Sequence, residues 1–525
     1  MNDSPLALTI DFGTQSVKVA IFDQTGSVVA FEKEDYEPPY VSPLPNYAEQ
    51  RPDYYYECLC KAARRLSEKN ADLLKRVTAA TIDCFRDSCV LLDENMKPVR
   101  PMIIWLDQRL ATCKKKLPLI DRFLFALVGM SETVKLNRAR SYANWVQEHE
   151  PEIWAKTKKY VNASAYFTYL ITGHLADSSS STAGHYPIDF KRHRWYKHPE
   201  HHLKGKIFGV KKSQLADLVM EGQELGRVSA KCAAETGLPE GLRFLASGSD
   251  KSCETLGLGV VDSSLGALSL GTACTIETTI DRYMESERFL PGYPSCIPGY
   301  YNLDVQIYRG FWMISWFRKE FAYKASPQEL DKMLDSTPPG ADGLVLQPYW
   351  GPGLARPLAK GTVIGWSDSS TSAHFYRAII EGICYALRES FESFEKKVGH
   401  RIPVIRVSGG GANSPAVCQI AANIFNRPIE RVQTTETSSL GAAIATYLAA
   451  GVFKDPKEAV GKMVHLKDRF EPDENVARKY DRLFRDVYLQ LFPSLRKVYR
   501  NIKAFNRAED AERLAELEAE KKKVN

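Results

Sequence analysis

The chain has 525 residues, 44% apolar and 26% charged, ordinary proportions for a soluble globular protein, and its length predicts two large domains of roughly 200 to 250 residues with a cleft between them. Its 70 basic and 64 acidic residues leave a net charge of +6, scattered without a basic stripe, which argues against nucleic acid as a partner. No leader-like start and no bilayer-length apolar run occur, so a cytoplasmic protein without a membrane partner is expected, and its eleven cysteines, lacking zinc spacing, read as reduced and mostly buried.

Residues 6–10, the turn Asp11-Phe12-Gly13-Thr14-Gln15-Ser16, residues 17–22 and, past a second turn, residues 27–31 predict an antiparallel meander. No helix follows the glycine turn, which separates it from a P-loop or a dinucleotide fingerprint. A turn of small hydroxylated residues offers backbone N–H groups to phosphate oxygens, with Asp11 close enough to hold a metal ion through water; an ordinary hairpin turn is the alternative. A helix starts at Pro52, its Tyr54-Tyr55-Tyr56 run read as packing. Two strands, 77–82 and 89–92, then flank Asp83 to Ser88. Arg86 beside Asp87 at a strand end pairs a donor with an acceptor, as a hydroxyl-binding site requires, although a surface ion pair has the same spelling. Residues 105–109 follow another strand and could wall the same pocket.

Residues 114–173 read as mostly helical, 178–181 as a polar loop, and His193, His198, His201 and His202 as a solvated loop without metal-ligand spacing. The stretch 245–259, LASGSDKSCETLGLG, places one carboxylate, Asp250, among small residues. It could accept a proton from a substrate hydroxyl or merely cap the helix beginning near Lys251. Residues 266–276, GALSLGTACTI, repeat the opening pattern of strand, Gly-Thr turn and strand, suggesting two similar domains facing one nucleotide. An aromatic turn at 308–312 and a core helix over 374–396 follow. Residues 404–425 read as strand, the glycine turn Ser408-Gly409-Gly410-Gly411, and a helix capped by Ser414 with Pro415 in its first turn. Residues 438–450 form a small-residue helix, and 507–525 a charged helix or frayed tail without assigned chemistry.

In this order and at these intervals, IDFGTQSVKVAIFD, GSDKSCETLGLG, LSLGTACT and VSGGGANSP resemble the FGGY carbohydrate kinases of the actin-like ATPase superfamily. GTVIGWSDSSTSAHFYRAIIEGI resembles that family's carboxy-proximal signature through Gly365, His374, Arg377 and Glu381, whereas the amino-proximal signature is incomplete at Ala139 and Tyr142. The resemblance implies an α/β protein of two ribonuclease-H-like (actin-like ATPase) domains, each with a mixed five-stranded sheet. Residues 1–262 would form the sugar and phosphate side, 263–505 the nucleotide side, and 506–525 a tail.

It further implies ATP-dependent phosphorylation of a hydroxyl of a small carbohydrate, a polyol or ketose. Asp250 would be the base, with Asp11 and Asp250 at Mg²⁺. Gly13, Thr14, Gln15, Ser16 and Lys18 would form the first phosphate loop, and Gly271 and Thr272 the second. Gly310, Gly410, Gly411 and Asn413 would meet the nucleotide, and Arg86, Asp87, Asp250 and Lys251 the acceptor. Arg86-Asp87 resembles the Arg-Glu pair of glycerol kinases more than the Met-His of xylulokinases. Lys251 stands where many relatives carry Gln; a cation there should lower the pKa of Asp250 and could contact an extra oxygen or a negative group of the substrate. A sugar acid or a signalling carbohydrate as acceptor, or a nucleotide switch, are the alternatives. A homodimer is suggested by analogy.

Overall fold

The computed structural model describes residues 4–524 apart from 288, 289, 324, 352, 354 and 355, and apart from the side chains of 507, 508 and 510–524. The chain opens as the alternation of apolar residues and turns predicts. Strands β1 (Leu6–Phe12), β2 (Ser16–Phe22) and β3 (Val28–Asp35) form the antiparallel meander. Helix α1 (Pro52–Lys69) starts at its proline and buries Tyr55 and Tyr56, so the tyrosine run is packing. β4 (Val77–Cys84) runs parallel to β1, and β5 (Arg243–Ser249) parallel to β4. With Glu224–Arg227 antiparallel at the edge, the sheet has six strands.

The second half repeats this wiring. β6 (Leu265–Leu270) pairs antiparallel with β7 (Cys274–Ile280) and parallel with β9 (Val404–Ser408). β7 pairs with β8 (Tyr301–Ile307), and β9 with β10 (Ile429–Val432). Both halves thus hold the same five-stranded mixed core. The five-stranded expectation falls short at the edges: Tyr293–Pro294 and Leu466–Phe470 bring the second sheet to seven strands. Such short edge strands carry too little periodicity to be read in advance.

The long apolar helix α3 (Ser372–Val398) is the core helix expected at 374–396; it buries Ile379, Ile380, Ile383 and Leu387 against the second sheet. Helix α2 (Asp250–Gly257) crosses α5 (Thr437–Ala449) where two glycines meet. A Cβ on Gly441 would lie 1.7 Å from the Cys253 carbonyl oxygen, and one on Gly257 1.9 Å from that of Thr437. Only residues without side chains allow this approach, and it couples the two halves directly behind Asp250. Between them α4 (Pro415–Phe425) begins as predicted, Ser414 accepting from the Val417 N–H at 3.2 Å.

All eleven cysteines are free and nine are buried. No described helix is long and apolar enough to cross a membrane. The tail expected from 506 continues the helix Leu489–Val524, with Asn525 outside the described residues. Two loop readings need correction. Ser178 to Ser181 are buried, Ser178 ending a short strand, and so is His193, whose Nδ1 lies 3.2 Å from Glu221, through long-range packing invisible to local composition; His198, His201 and His202 are exposed, as expected.

Candidate active site

The two glycine hairpins and the end of β5 converge on one cavity of about 280 Å³. Thr14 from the first hairpin, Gly271 and Thr272 from the second, and Arg86, Asp87, Asp250 and Lys251 all line it. Trp105 closes one wall, its indole N–H donating to Thr14 Oγ1 at 3.0 Å.

Asp250 is the first residue of α2, but it is not the cap. Ser249 takes that role, its hydroxyl accepting from the Ser252 N–H at 3.3 Å. The Asp250 carboxylate is left to the cavity, tied only through Oδ1 to the Lys251 N–H at 2.8 Å. Burial raises its pKa above the usual carboxylate range, with Lys251 and Arg86 opposing. Lys251 does lower it, as expected, but desolvation of the buried carboxylate is the larger effect, so the balance is upward.

Lys251 itself is committed elsewhere. Its Nζ lies 2.5 Å from Glu254 and 2.9 Å from Ser269 Oγ. Ser269 and Ser408, on β6 and β9, both donate to the other Glu254 oxygen, at 2.9 and 2.5 Å. Burial would raise the Glu254 carboxyl, but Lys251 and the two hydroxyls hold it below its ordinary value. Arg86 and Asp87 do not pair with each other. Arg86 reaches across the cleft to Asp304 at 2.5 Å and to Gln306 at 3.4 Å, under the Tyr293 ring. Asp87 is bonded to His185, through its Nδ1 at 2.7 Å and its backbone N–H at 2.9 Å.

Beneath the first hairpin, Asp11 and Asp83 sit side by side on β1 and β4. Lys18 bridges Asp11 at 3.3 Å and Glu436 at 2.5 Å, so its ammonium, predicted for phosphate, is held between carboxylates. Burial would lower its pKa, but these two acids raise it. Asp83 is buried with neither oxygen bonded, and burial followed by the charges of Asp11 and Asp250 drives its carboxyl well upward. Of the rest of the first loop, Gly13 closes the turn by donating to the Ser16 carbonyl at 3.0 Å, while Gln15 is exposed.

The predicted nucleotide residues gather behind the second hairpin. The Phe311 N–H donates to the Gly271 carbonyl at 3.1 Å, and that of Trp312 to Thr272 at 3.2 Å. A Cβ on Gly310 would lie 2.5 Å from the Cys274 nitrogen, and one on Gly411 2.2 Å from the Phe311 ring, whereas Gly410 faces open space. Asn413 ends the turn that they begin.

Several groups at this site had no sequence signal of their own. Asp304, Gln306, Glu254, Ser269 and His185 lie in ordinary strands, helices or loops, and only the fold carries them to Arg86, Lys251 and Asp87. Asp83 had one available clue, an acid ending an otherwise apolar strand.

Residues 6–257 match the FGGY family of carbohydrate kinases, N-terminal domain, and residues 266–450 match its C-terminal domain. The chain belongs to the FGGY family of carbohydrate kinases. It is 28% identical to the xylulose kinase of Lactococcus lactis over 507 residues, covering 95% of this chain and 99% of the relative. It is 26% identical to the gluconokinase of Bacillus subtilis, covering 95% and 98%. Among solved structures, the ligand-bound xylulose kinase from Lactobacillus acidophilus superposes with a TM-score of 0.79 at 21% identity, over 95% of this chain and 100% of that one. The Plasmodium falciparum glycerol kinase with ADP does so with a TM-score of 0.72 at 18% identity, over 93% and 98%. This FGGY protein is an ATP-dependent carbohydrate kinase with the two-domain actin-like ATPase fold.

Proposed function

We propose that this kinase transfers the γ-phosphoryl group of ATP to a hydroxyl of a small polyol or ketose, with Asp250 as the general base. The observation that carries this reading is the capping of α2 by Ser249, which leaves the Asp250 carboxylate unspent in the cavity between the two hairpins. Its raised pKa brings it nearer neutrality, where a base is both ionised and able to take a proton. Phosphoryl transfer asks a protein mainly for positioning and charge neutralisation. The backbone N–H groups of Thr14 in the first turn and of Gly271-Thr272 in the second would cradle phosphates, and Gly410, where an added Cβ would meet no described atom within 4 Å, would admit the nucleotide. Residues 1–262 would serve the acceptor and residues 263–505 the nucleotide.

The residues also fit Mg²⁺. Asp83, neither of whose oxygens has a partner among the described residues, sits beside Asp11, and the described residues form no three-ligand cage. Mg²⁺ keeps several waters and takes one or two carboxylates together with phosphates. Asp11, with Asp250 across the cavity, would hold it, and when bound it would neutralise charge on the transferring group.

The test is ADP release from Mg-ATP by wild type and Asp250→Asn across polyols, ketoses and sugar acids. One compound should accelerate wild type, and the variant should bind ATP yet lose about 10²- to 10⁴-fold of that acceleration. Equal, slow hydrolysis by both proteins with every compound would instead favour a nucleotide switch.

A further inference from the structure

The Asp87–His185 pair is built with unusual care for two residues 98 positions apart. Asp87 adopts a left-handed backbone with φ of 53°, strained for a residue with a side chain. Gly184, at φ 116°, lies so close that a Cβ there would sit 2.3 Å from Asp87 Oδ1. This close approach lets His185 grip the carboxylate twice, through its backbone N–H and through its ring. Burial would raise the Asp87 carboxyl, but His185, and then Arg140, hold it below its ordinary value. The carboxylate is therefore an acceptor only, so Nδ1 carries the proton that it donates. Each Asp87 oxygen keeps a lone pair, and its side chain remains 24% exposed on the cavity wall.

Arg140, whose charge acts on Asp87, sits over the Tyr308 ring and is not among the residues lining the cavity, and the cations that do line it leave little for an anionic acceptor. Among the described residues, the cationic groups Arg86, Lys251 and Arg356 on that wall are each ion-paired already, with Asp304, Glu254 and Glu389. Asp87 then faces the cavity as a carboxylate, which accepts from hydroxyls and repels a carboxylate.

We propose that Asp87 and His185 form a specificity dyad, in which His185 positions Asp87 to receive a hydroxyl of an uncharged polyol or ketose and so disfavours a sugar acid. This rests on the kinase reading above and selects within it. His185 acts through Asp87 and is a positioning residue.

The experiment compares D-xylulose, xylitol, glycerol and D-gluconate as acceptors for wild type, His185→Leu, His185→Asn and Asp87→Asn, with melting temperatures measured alongside. Wild type should prefer an uncharged compound. His185→Leu, which removes the ring bond to Asp87 and keeps the backbone one, should raise the KM for that acceptor about tenfold while leaving kcat and the KM for ATP within about twofold. His185→Asn, whose amide N–H can reach the same oxygen, should recover most of this loss, which a merely structural histidine would not permit. Asp87→Asn should raise gluconate about tenfold relative to the uncharged acceptor. An unchanged acceptor KM in His185→Leu overturns the dyad and leaves the kinase reading intact, whereas preference of wild type for gluconate overturns the dyad together with the polyol or ketose acceptor and leaves phosphoryl transfer itself standing. Should His185→Leu fail to fold, the Asn rescue and the Asp87→Asn ratio decide. If no compound of either class accelerates ADP release, both readings fall together.

Discussion

Two stretches of this molecule share one backbone and opposite chemistry. Asp11-Phe12-Gly13-Thr14 and Ser269-Leu270-Gly271-Thr272 each end the first strand of a half and enter a hairpin turn. In the first half Asp11 pairs in register with Lys18 on one side and Asp83 on the other. In the second half Ser269 pairs with Thr275 and Ser408 at the same places. The repeated frame therefore presents carboxylates from one half and hydroxyls from the other. The hydroxyls are spent inward on Glu254, which holds Lys251 beside Asp250. A duplicated fold has thus kept its geometry, which packing enforces, and divided its charges, which packing does not dictate.

The largest effect should come from erasing that difference. Asp11→Ser gives the first half the residue of the second and removes a carboxylate proposed to face Mg²⁺. Activity should fall on the order of 10²- to 10³-fold, while the strand and its register persist. Steady-state kinetics over a Mg²⁺ titration, with circular dichroism as control, reads both, and near-normal activity would deny the carboxylates their proposed role. Next in size is Lys251→Gln, which leaves Glu254 with its two serine hydroxyls but without its cation. Breaking a largely buried pair should cost about 3 kcal/mol of stability, seen as a lower urea midpoint. The order of preference among acceptors should stay as in wild type, because the ammonium is committed to Glu254 and Ser269; a changed order would restore Lys251 to the acceptor site.

The same contrast explains what could be read before any coordinates. The hairpin echo, the capping by Ser414 and the glycine turn at 409–411 were legible because each is a local pattern with a local cause. That Asp250 does not cap α2 was not, since the cap is one hydroxyl of the preceding residue. Arg86 and Asp87 were singled out correctly as cavity residues, yet their partners Asp304 and His185 lie 218 and 98 residues away. Lys251 lines the cavity beside Asp250, as spelling suggests, but its pairing with Glu254 was out of reach for the same reason. Long-range pairing decides what a charged side chain does, and one sequence without its fold does not contain that list.

The smallest effect sharpens the comparison at its hidden edge, the carboxyl of Glu277 on β7. It accepts from Thr255 at 2.8 Å and from Asn302 at 3.3 Å. Burial, and then the charge of Asp304, push it up to about 8 from an ordinary 4.5, with Arg86 opposing. A carboxyl raised on folding binds its proton more tightly in the native state. The stability it contributes is complete below pH 4.5 and is lost as pH rises through about 8. Glu277→Gln retains an oxygen for Thr255 and Asn302 and has nothing to titrate. Relative to this variant, wild type should lose stability, and with it melting temperature, as pH rises from about 5 to about 9. Parallel pH profiles for the two proteins would mean that Glu277 stays ionised throughout.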